Sequence, residues 1–321
     1  MHVSSWMWGL FGALVLAMLA VDLAFASPPS RQAPGARSAA LWSGAWIGLA
    51  VGFGFLVWAL YGADPAVTYF TAWAMEKSLS IDNIFVFVLI FSELRTPPAQ
   101  QRKVLYWGVL GALMMRAILI GGGIYLLDRF HWVLYPFAAL VILAAVRILF
   151  AREKERQVVV AACAVCDSWL ARFIPVTPVL HGGRFVIRQA GRLVATPLLI
   201  TLLVVETTDL VFALDSIPAV FAVTRDPFLV YTSNIFAMLG LRALYFLLAG
   251  AVERFRHLRF GLAAILVFVG GKMLLSDVVA IPVWVSLAVV AVAISAALAA
   301  SVAIGAREGS GRGALRAGVD A

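Results

Sequence analysis

Long apolar runs separated by short polar stretches set the rhythm of the chain, near residues 6–26, 41–62, 69–92, 104–127, 132–150, 196–223, 229–252, 261–276 and 283–304. A helix of about 20 apolar residues crosses the roughly 30 Å of bilayer hydrocarbon, and most of these runs come close to that length. The pattern predicts an all-α polytopic membrane protein with about 9 transmembrane helices. Composition agrees, since 63% of the 321 residues are hydrophobic and only 13% are charged, where a soluble domain carries roughly 25% charge.

The runs also repeat. Residues 69–150 read as an acidic helix, a short basic loop, a helix with a central Arg116, a tight connection at Arg129-Phe130 and a helix ending at Arg147. Residues 196–276 follow the same order, with Arg242, Arg254-Phe255 and Lys272 in the matching places. The offsets are 127 residues from Asp82 to Asp209, 126 from Arg116 to Arg242, and 125 for the two later pairs. Each unit holds an odd number of spans, so the second copy enters the membrane upside down. Two inverted three-helix repeats are therefore expected, and transporters built this way bind substrate near mid-membrane where the copies meet. The division that follows is an N-terminal segment and linker (1–40), a flanking helix with the first repeat (41–150), an Arg-rich loop (151–195), the second repeat (196–276), a last span (277–305) and a tail (306–321).

The net charge of +8 would suggest nucleic acid in a soluble protein, but its distribution points elsewhere. Alternate connections hold 18 Lys and Arg on one side and only Arg129 and Arg225 on the other. By the positive-inside rule the rich set is cytoplasmic, which predicts a multi-pass protein of the cytoplasmic (inner) membrane with a cytoplasmic C-terminus and no nucleic-acid partner. Within 151–195, Arg184, Arg188 and Arg192 are expected beside anionic lipid headgroups. The first run ends in Ala24-Phe25-Ala26, which has the form of a signal-peptidase site. Met1 to Ser5 contains no Lys or Arg, however, and Arg31 and Arg37 follow the run. That order favours a retained helix with its N-terminus outside, with cleavage as the alternative.

Candidate chemistry lies in the acids inside the apolar runs, because an ionisable group at membrane depth costs a few kcal/mol and usually lines a site or pathway. The first acidic helix carries Glu76 and Asp82, the second Glu206, Asp209 and Asp215. Glu206 and Asp209 share a helix face, whereas a separation of six residues turns Asp215 about 120° from Asp209. Pro218 removes the helical donor of the Leu214 carbonyl, which predicts a bend that adds a neutral oxygen, beside Ser216, to Asp215. Arg116 and Arg242 are the central, charge-balancing bases. Arg147 and Lys272 lie near helix ends and can snorkel, so two or three acids remain in surplus even when Lys77 is counted. That surplus suits a divalent cation or protons, with full internal ion pairing as the alternative. The site is expected to centre on Asp82 and Asp209, completed by Glu76, Glu206, Asp215, Asn83 and Ser216. All are oxygen donors, which favour Mg, Ca or Mn.

At these residues the chain resembles the TerC family of integral membrane proteins, which includes Alx-type manganese exporters. The resemblance rests on Glu76-Lys-Ser-Leu-Ser-Ile-Asp-Asn83, on Glu206-Thr-Thr-Asp-Leu-Val-Phe-Ala-Leu-Asp-Ser-Ile-Pro-Ala219 and on Asn234-Ile-Phe-Ala-Met-Leu-Gly-Leu-Arg242, and spans about 41–305. It implies efflux of manganese and other metal ions, a link to tellurium resistance, and a distant relation to LysE-type exporters. The 6–26 segment and the Arg-rich loop depart from the shorter pattern of the family.

Two rivals stay open: a non-transporting membrane scaffold in metal or tellurite stress, and an amino-acid exporter of the LysE type. Cys163-Ala-Val-Cys166 has the spacing of zinc and redox pairs, but only His181 stands near as a further ligand, and two reduced thiols are the plainer reading. No nucleotide loop, nucleophile and base pair, or zinc-protease motif occurs, so neither enzyme activity nor a resident cofactor is expected. The expected partners are the transported cation and membrane lipid.

Overall fold

The computed structural model describes residues 3–26, 35–150, 154–189, 191–249, 258–276, 278–279 and 281–317, apart from the side chains of Asp82 and some other residues within the helices. In chain order they form α1 (Ser5–Ala26), α2 (Ala36–Tyr61), α3 (Ala63–Glu93), α4 (Pro98–Arg129), α5 (Leu134–Phe150), α6 (Lys154–Ala171), a hairpin of β1 (Val186–Gln189) and β2 (Arg192–Ala195), α7 (Pro197–Phe221), α8 (Pro227–Met238), α9 (Leu241–Leu248), α10 (Leu258–Leu274) and α11 (Val283–Ala317). Pro98, Pro197 and Pro227 stand in the first turns of α4, α7 and α8, where a missing N–H breaks no helical bond. The Asp226 carboxylate caps α8 by accepting from the Phe228 and Leu229 N–H groups at 3.0 and 3.2 Å.

Among the described residues five helices are long and apolar enough to cross a membrane, at Arg37–Tyr61, Pro98–Arg129, Pro197–Phe221, Pro227–Leu248 and Val283–Ser301. Shorter apolar helices cover Ser5–Val21, Leu134–Leu149, Val160–Leu170 and Phe260–Leu274. The chain is thus a multi-pass helical membrane protein, with a helix at each of the apolar runs. Its acidic helix α3 is 31 residues long and turns Glu76, Ser80 and Asn83 inward, as spacings of four and seven on one face require.

Packing follows a regular exchange. α3 lies along α8 and α7 lies along α4, while α5 packs against α10 and α3 touches α7. Glycines on α4 let neighbours approach closely: a Cβ at Gly123 would enter the Phe221 ring, and one at Gly121 would meet the Tyr231 hydroxyl at 3.0 Å. The Gly121-Gly122-Gly123 run therefore serves packing. α1 docks through Phe11, whose ring sits among Phe53, Phe228 and Phe236 at centroid distances of 6.2, 6.0 and 6.1 Å.

Three local expectations are corrected. The stretch 27–40 is not linker throughout, because α2 already begins at Ala36. Residues 151–195 are not simply a loop: α6 packs on α7 and α3, and a two-stranded hairpin follows with Val186 paired to Ala195. The interruption also lies elsewhere. α7 runs unbroken through Pro218, and the span after it breaks instead, with Leu239 extended (φ −60°, ψ 133°) and Gly240 left-handed (φ +80°, ψ 0°).

The break has a defined cause and a defined seal. Only glycine enters the left-handed region without penalty, and a Cβ on Gly240 would come within 2.7 Å of Trp46 on α2. Breaking the helix leaves its last carbonyls without donors, and the Lys77 ammonium on α3 donates to the Ala237 carbonyl at 3.0 Å. A cation at a helix C-terminus is also favoured by the macrodipole. Gly240→Ala is expected to lower stability in detergent by about 1–2 kcal/mol from backbone strain alone, with a further loss from the Trp46 contact. In a Trp46→Ala background the same Gly240→Ala step should cost only the strain part, and thermal melts showing an equal loss in both backgrounds would contradict this account.

Candidate cation site

Five buried side chains from four helices converge at the centre of the bundle. Glu76 on α3 is 0% exposed, Asp209 on α7 is 2% exposed and Arg116 on α4 is 3% exposed. Arg116 Nη1 donates to Glu76 Oε2 at 2.8 Å, to Asn234 Oδ1 on α8 at 3.2 Å and to Ser216 Oγ on α7 at 3.4 Å. Arg116 Nε lies 3.6 Å from Asp209 Oδ2, which is an ion pair but too long for a hydrogen bond.

Helical spacing explains the convergence. Asp209 and Ser216 are seven residues apart, so they share a face of α7 two turns from one another, and the long Arg116 side chain reaches towards both. Asn234 sits on α8 four residues before its last residue, Met238. The cluster carries two negative charges against one positive. Its capacity to accept hydrogen bonds is also unspent: among the described residues Glu76 Oε1 and both Asp209 carboxylate oxygens are buried without a hydrogen-bond partner, as is Asn234 Nδ2. A buried charge in this condition is expensive. Asp209 also faces a cavity of about 10 Å³, walled by Phe87, Leu105, Gly108, Val205, Met238 and Leu241 among others, close to the smallest space that holds a water.

The remaining candidates take other places. Glu206, one turn before Asp209, is half-buried with its carboxylate set against α4, where only glycine at position 111 leaves room for it. Asp215 is half-buried and lies in the field of Arg147, away from the Arg116 contacts, as its 120° displacement requires. Asn83 is buried two turns along α3 from Glu76 and makes no described bond to Arg116. The Asp82 side chain lies outside the described residues; its Cα is six residues from Glu76, about 9 Å along the helix axis. Arg242 opens α9 beyond the Gly240 break, so it is not at mid-helix, and it takes no part in the described Arg116 contacts. Among the described residues no three His, Cys, Asp or Glu side chains gather as a metal site, so a cation here would draw on the Asn234 and Ser216 oxygens as well as two carboxylates.

Comparison with known proteins fits this picture. The sequence model of the family described as "Integral membrane protein TerC family" matches residues 61–309. The chain belongs to the TerC family. An uncharacterized membrane protein of Myxococcus xanthus is 48% identical to this TerC-family protein over 295 residues, covering 92% of this chain and 91% of the other. A "Putative membrane-bound redox modulator Alx" of Escherichia coli K12 is 44% identical over 292 residues, covering 88% and 90%, and that of Photorhabdus laumondii is 41% identical over 293 residues, covering 89% and 91%. No solved structure matches.

In this TerC-family protein one member of the cluster, Asn234, and the bond made by Lys77 are not read from sequence. Asn234 stands inside a quoted motif without an assigned role, although an amide in an apolar run is itself a signal. Lys77 was counted as a neutralising base, yet among the described residues it bonds a carbonyl and no carboxylate. The cluster yields a stability prediction. Arg116→Met strands two carboxylates and should destabilise the protein by about 3–5 kcal/mol, read as a lowered melting temperature in detergent. Adding Glu76→Gln and Asp209→Asn should recover most of that loss; a triple variant as unstable as the single one would contradict the pairing.

Proposed function

We propose that this protein exports a divalent cation, manganese first among them, through the Glu76, Arg116 and Asp209 cluster. The observation that carries the reading is the convergence of acids from both acidic helices on one arginine, with buried carboxylate oxygens to spare. Glu76 Oε1, the Asp209 oxygens, Asn234 Oδ1 and Ser216 Oγ form an all-oxygen donor set suited to a hard cation.

In the proposed cycle Arg116 is the resident counter-charge. A divalent cation arriving at Asp209 would displace the guanidinium from the acids, and its departure would let Arg116 return. Neither occupant leaves the acids uncompensated, which avoids the cost of a bare buried charge. Glu206, one turn towards the N-terminus of α7, is a stepping stone for the cation. The inverted-repeat reading is supported by the exchanged packing, with α3 along α8 as α7 lies along α4. It is also supported by the broken span at Gly240, since irregular backbone at membrane depth occurs where it is buried in protein or lines a cavity. One repeat rocking against the other would alternate the exposure of the cluster.

A redox role is the second reading, favoured by the printed name of the Alx relatives and by two thiols one helical turn apart on α6. Replacing Asp209 by Asn separates the readings. With membrane insertion verified, manganese efflux should fall by at least about tenfold, the scale on which lost ligand interactions act at metal sites, and manganese tolerance should fall with it. Unchanged efflux in Asp209→Asn cells would remove the transport reading, and loss of the phenotype on replacing Cys163 and Cys166 by Ser would then favour the redox one. Cells loaded with radiolabelled lysine should show no difference between wild type and variant.

A further inference from the structure

One flank of α6 is apolar, exposed and set at the level of the membrane spans. The helix turns Cys166 and Leu170 inward, and Cys166 Sγ lies 3.9 Å from the Thr207 hydroxyl oxygen. Thr207 is ten residues into α7, about 15 Å along its axis, so α6 lies beside that span rather than above its end. The opposite flank carries Val165 and Trp169, four residues apart. Phe173 follows at the same spacing, its ring 5.1 Å from that of Trp169. All three side chains are more than half exposed. An exposed apolar stripe marks a contact surface, and at bilayer level it is the buried face of a helix lying in the membrane interface.

The segment that follows brings charge to the same place. From Ser168 to Thr196 the sequence holds four arginines and no acid, so the sign of this stretch is set by composition. Arg172, Arg184, Arg188 and Arg192 are all exposed. In the hairpin Arg188 pairs with Leu193 across the strands, and such partners project from the same face. Both are exposed, as is Val186 on that face, whereas Val194 on the other face is buried.

The hairpin is held in position. The Lys103 ammonium on α4 donates to the Gly183 carbonyl at 2.8 Å and stands over the Phe185 ring at 4.9 Å. The Thr196 hydroxyl donates to the Arg184 carbonyl at 2.7 Å. Towards α6, the Ala195 N–H donates to the Pro175 carbonyl at 2.8 Å and the Thr177 N–H to the Ala195 carbonyl at 2.9 Å. Leu193 and Phe173 each stand two residues from that join, about 7 Å of chain. Thr196 is the N-cap of α7, so the hairpin sits where that span begins.

We propose that α6 and the hairpin form a binding surface for anionic phospholipid. Val165, Trp169 and Phe173 lie against acyl chains near the headgroups, and Arg172, Arg184, Arg188 and Arg192 engage the phosphates. Aromatic rings favour headgroup depth, and the positive-inside rule makes this the cytoplasmic leaflet. Basic side chains there attract anionic lipid, and a guanidinium offers a phosphate two parallel hydrogen bonds. The inference is independent of what the protein transports. A soluble acidic protein is the competing occupant, and the level of α6 beside α7 favours lipid.

The test uses full-length protein in nanodiscs of phosphatidylcholine with about a quarter phosphatidylglycerol, where complete enrichment would raise the local share about fourfold. Either the phosphatidylglycerol or an equal amount of the phosphatidylcholine carries brominated acyl chains, which quench tryptophan on contact. The chain has 10 Trp, so the Trp169 signal is taken as the difference between wild type and Trp169→Phe. Brominated phosphatidylglycerol should quench Trp169 about twofold to threefold more than brominated phosphatidylcholine, and high salt should shrink the excess.

Replacing all four arginines by Gln should bring the two lipids level, with a melting temperature near that of wild type because the side chains are exposed. Equal quenching by both lipids in wild type, or an excess that the folded variant retains, overturns the proposal. Should the variant melt early, the salt series on wild type decides, and an excess unmoved by salt overturns it. Absence of quenching by either lipid sets Trp169 away from acyl chains, as a protein-covered face would, and overturns it as well.

Discussion

A guanidinium held between two carboxylates, away from water, is the interaction on which the rest of this structure depends. Arg116 reaches Glu76 at 2.8 Å and Asp209 at 3.6 Å, and each partner comes from a different helix. Any of the three charges alone would be ruinously placed in an apolar interior. Among the described residues they still leave one negative charge and several acceptor oxygens unmatched. A purely structural ion pair would be better served by a one-to-one match, and replacing buried pairs with apolar groups often stabilises a fold. On the proposed reading this surplus is where a cation binds, and the cluster then underlies both the packing and the proposed function.

The surrounding helices fit that role. Close approach of α4 to α7 relies on glycines, at position 111 to admit the Glu206 carboxylate and at position 123 to admit the Phe221 ring. The broken α8 and α9 pair gives a carbonyl that the half-buried Lys77 caps, and among the described residues this cation meets no acid. The arrangement joins a rigid, fully packed surround to a centre whose polar groups have a second way of being satisfied.

Much of this was legible in the sequence because the bilayer imposes a simple rule: apolar length for spans, and ionisable residues only where they are used. Helices stand at every apolar run, and Glu76, Asp209, Ser216 and Arg116 were all named from their place in those runs. Which acid faces which was not legible. Glu76 is one of five acids in those runs, and rotation of α3 about its axis decides that it meets Arg116. The break at Gly240 was hidden because Pro218 offered a stronger local signal. A helix in a packed bundle can run through proline when neighbours and side chains absorb the lost bond, whereas left-handed Gly240 against Trp46 admits no regular helix. The α6 and hairpin segment was likewise opaque, since short exposed strands in an Arg-rich stretch carry little hydrophobic periodicity.

The central claim is that a divalent cation and Arg116 compete for the same two carboxylates. Titrating manganese into purified protein and following the electron paramagnetic resonance of the free ion tests this most directly. Wild-type protein should remove manganese from the free-ion signal, Asp209→Asn protein should not, and Arg116→Gln protein that remains folded should bind more tightly than wild type. Equal binding by all three proteins, or weaker binding once Arg116 is replaced, would contradict the account.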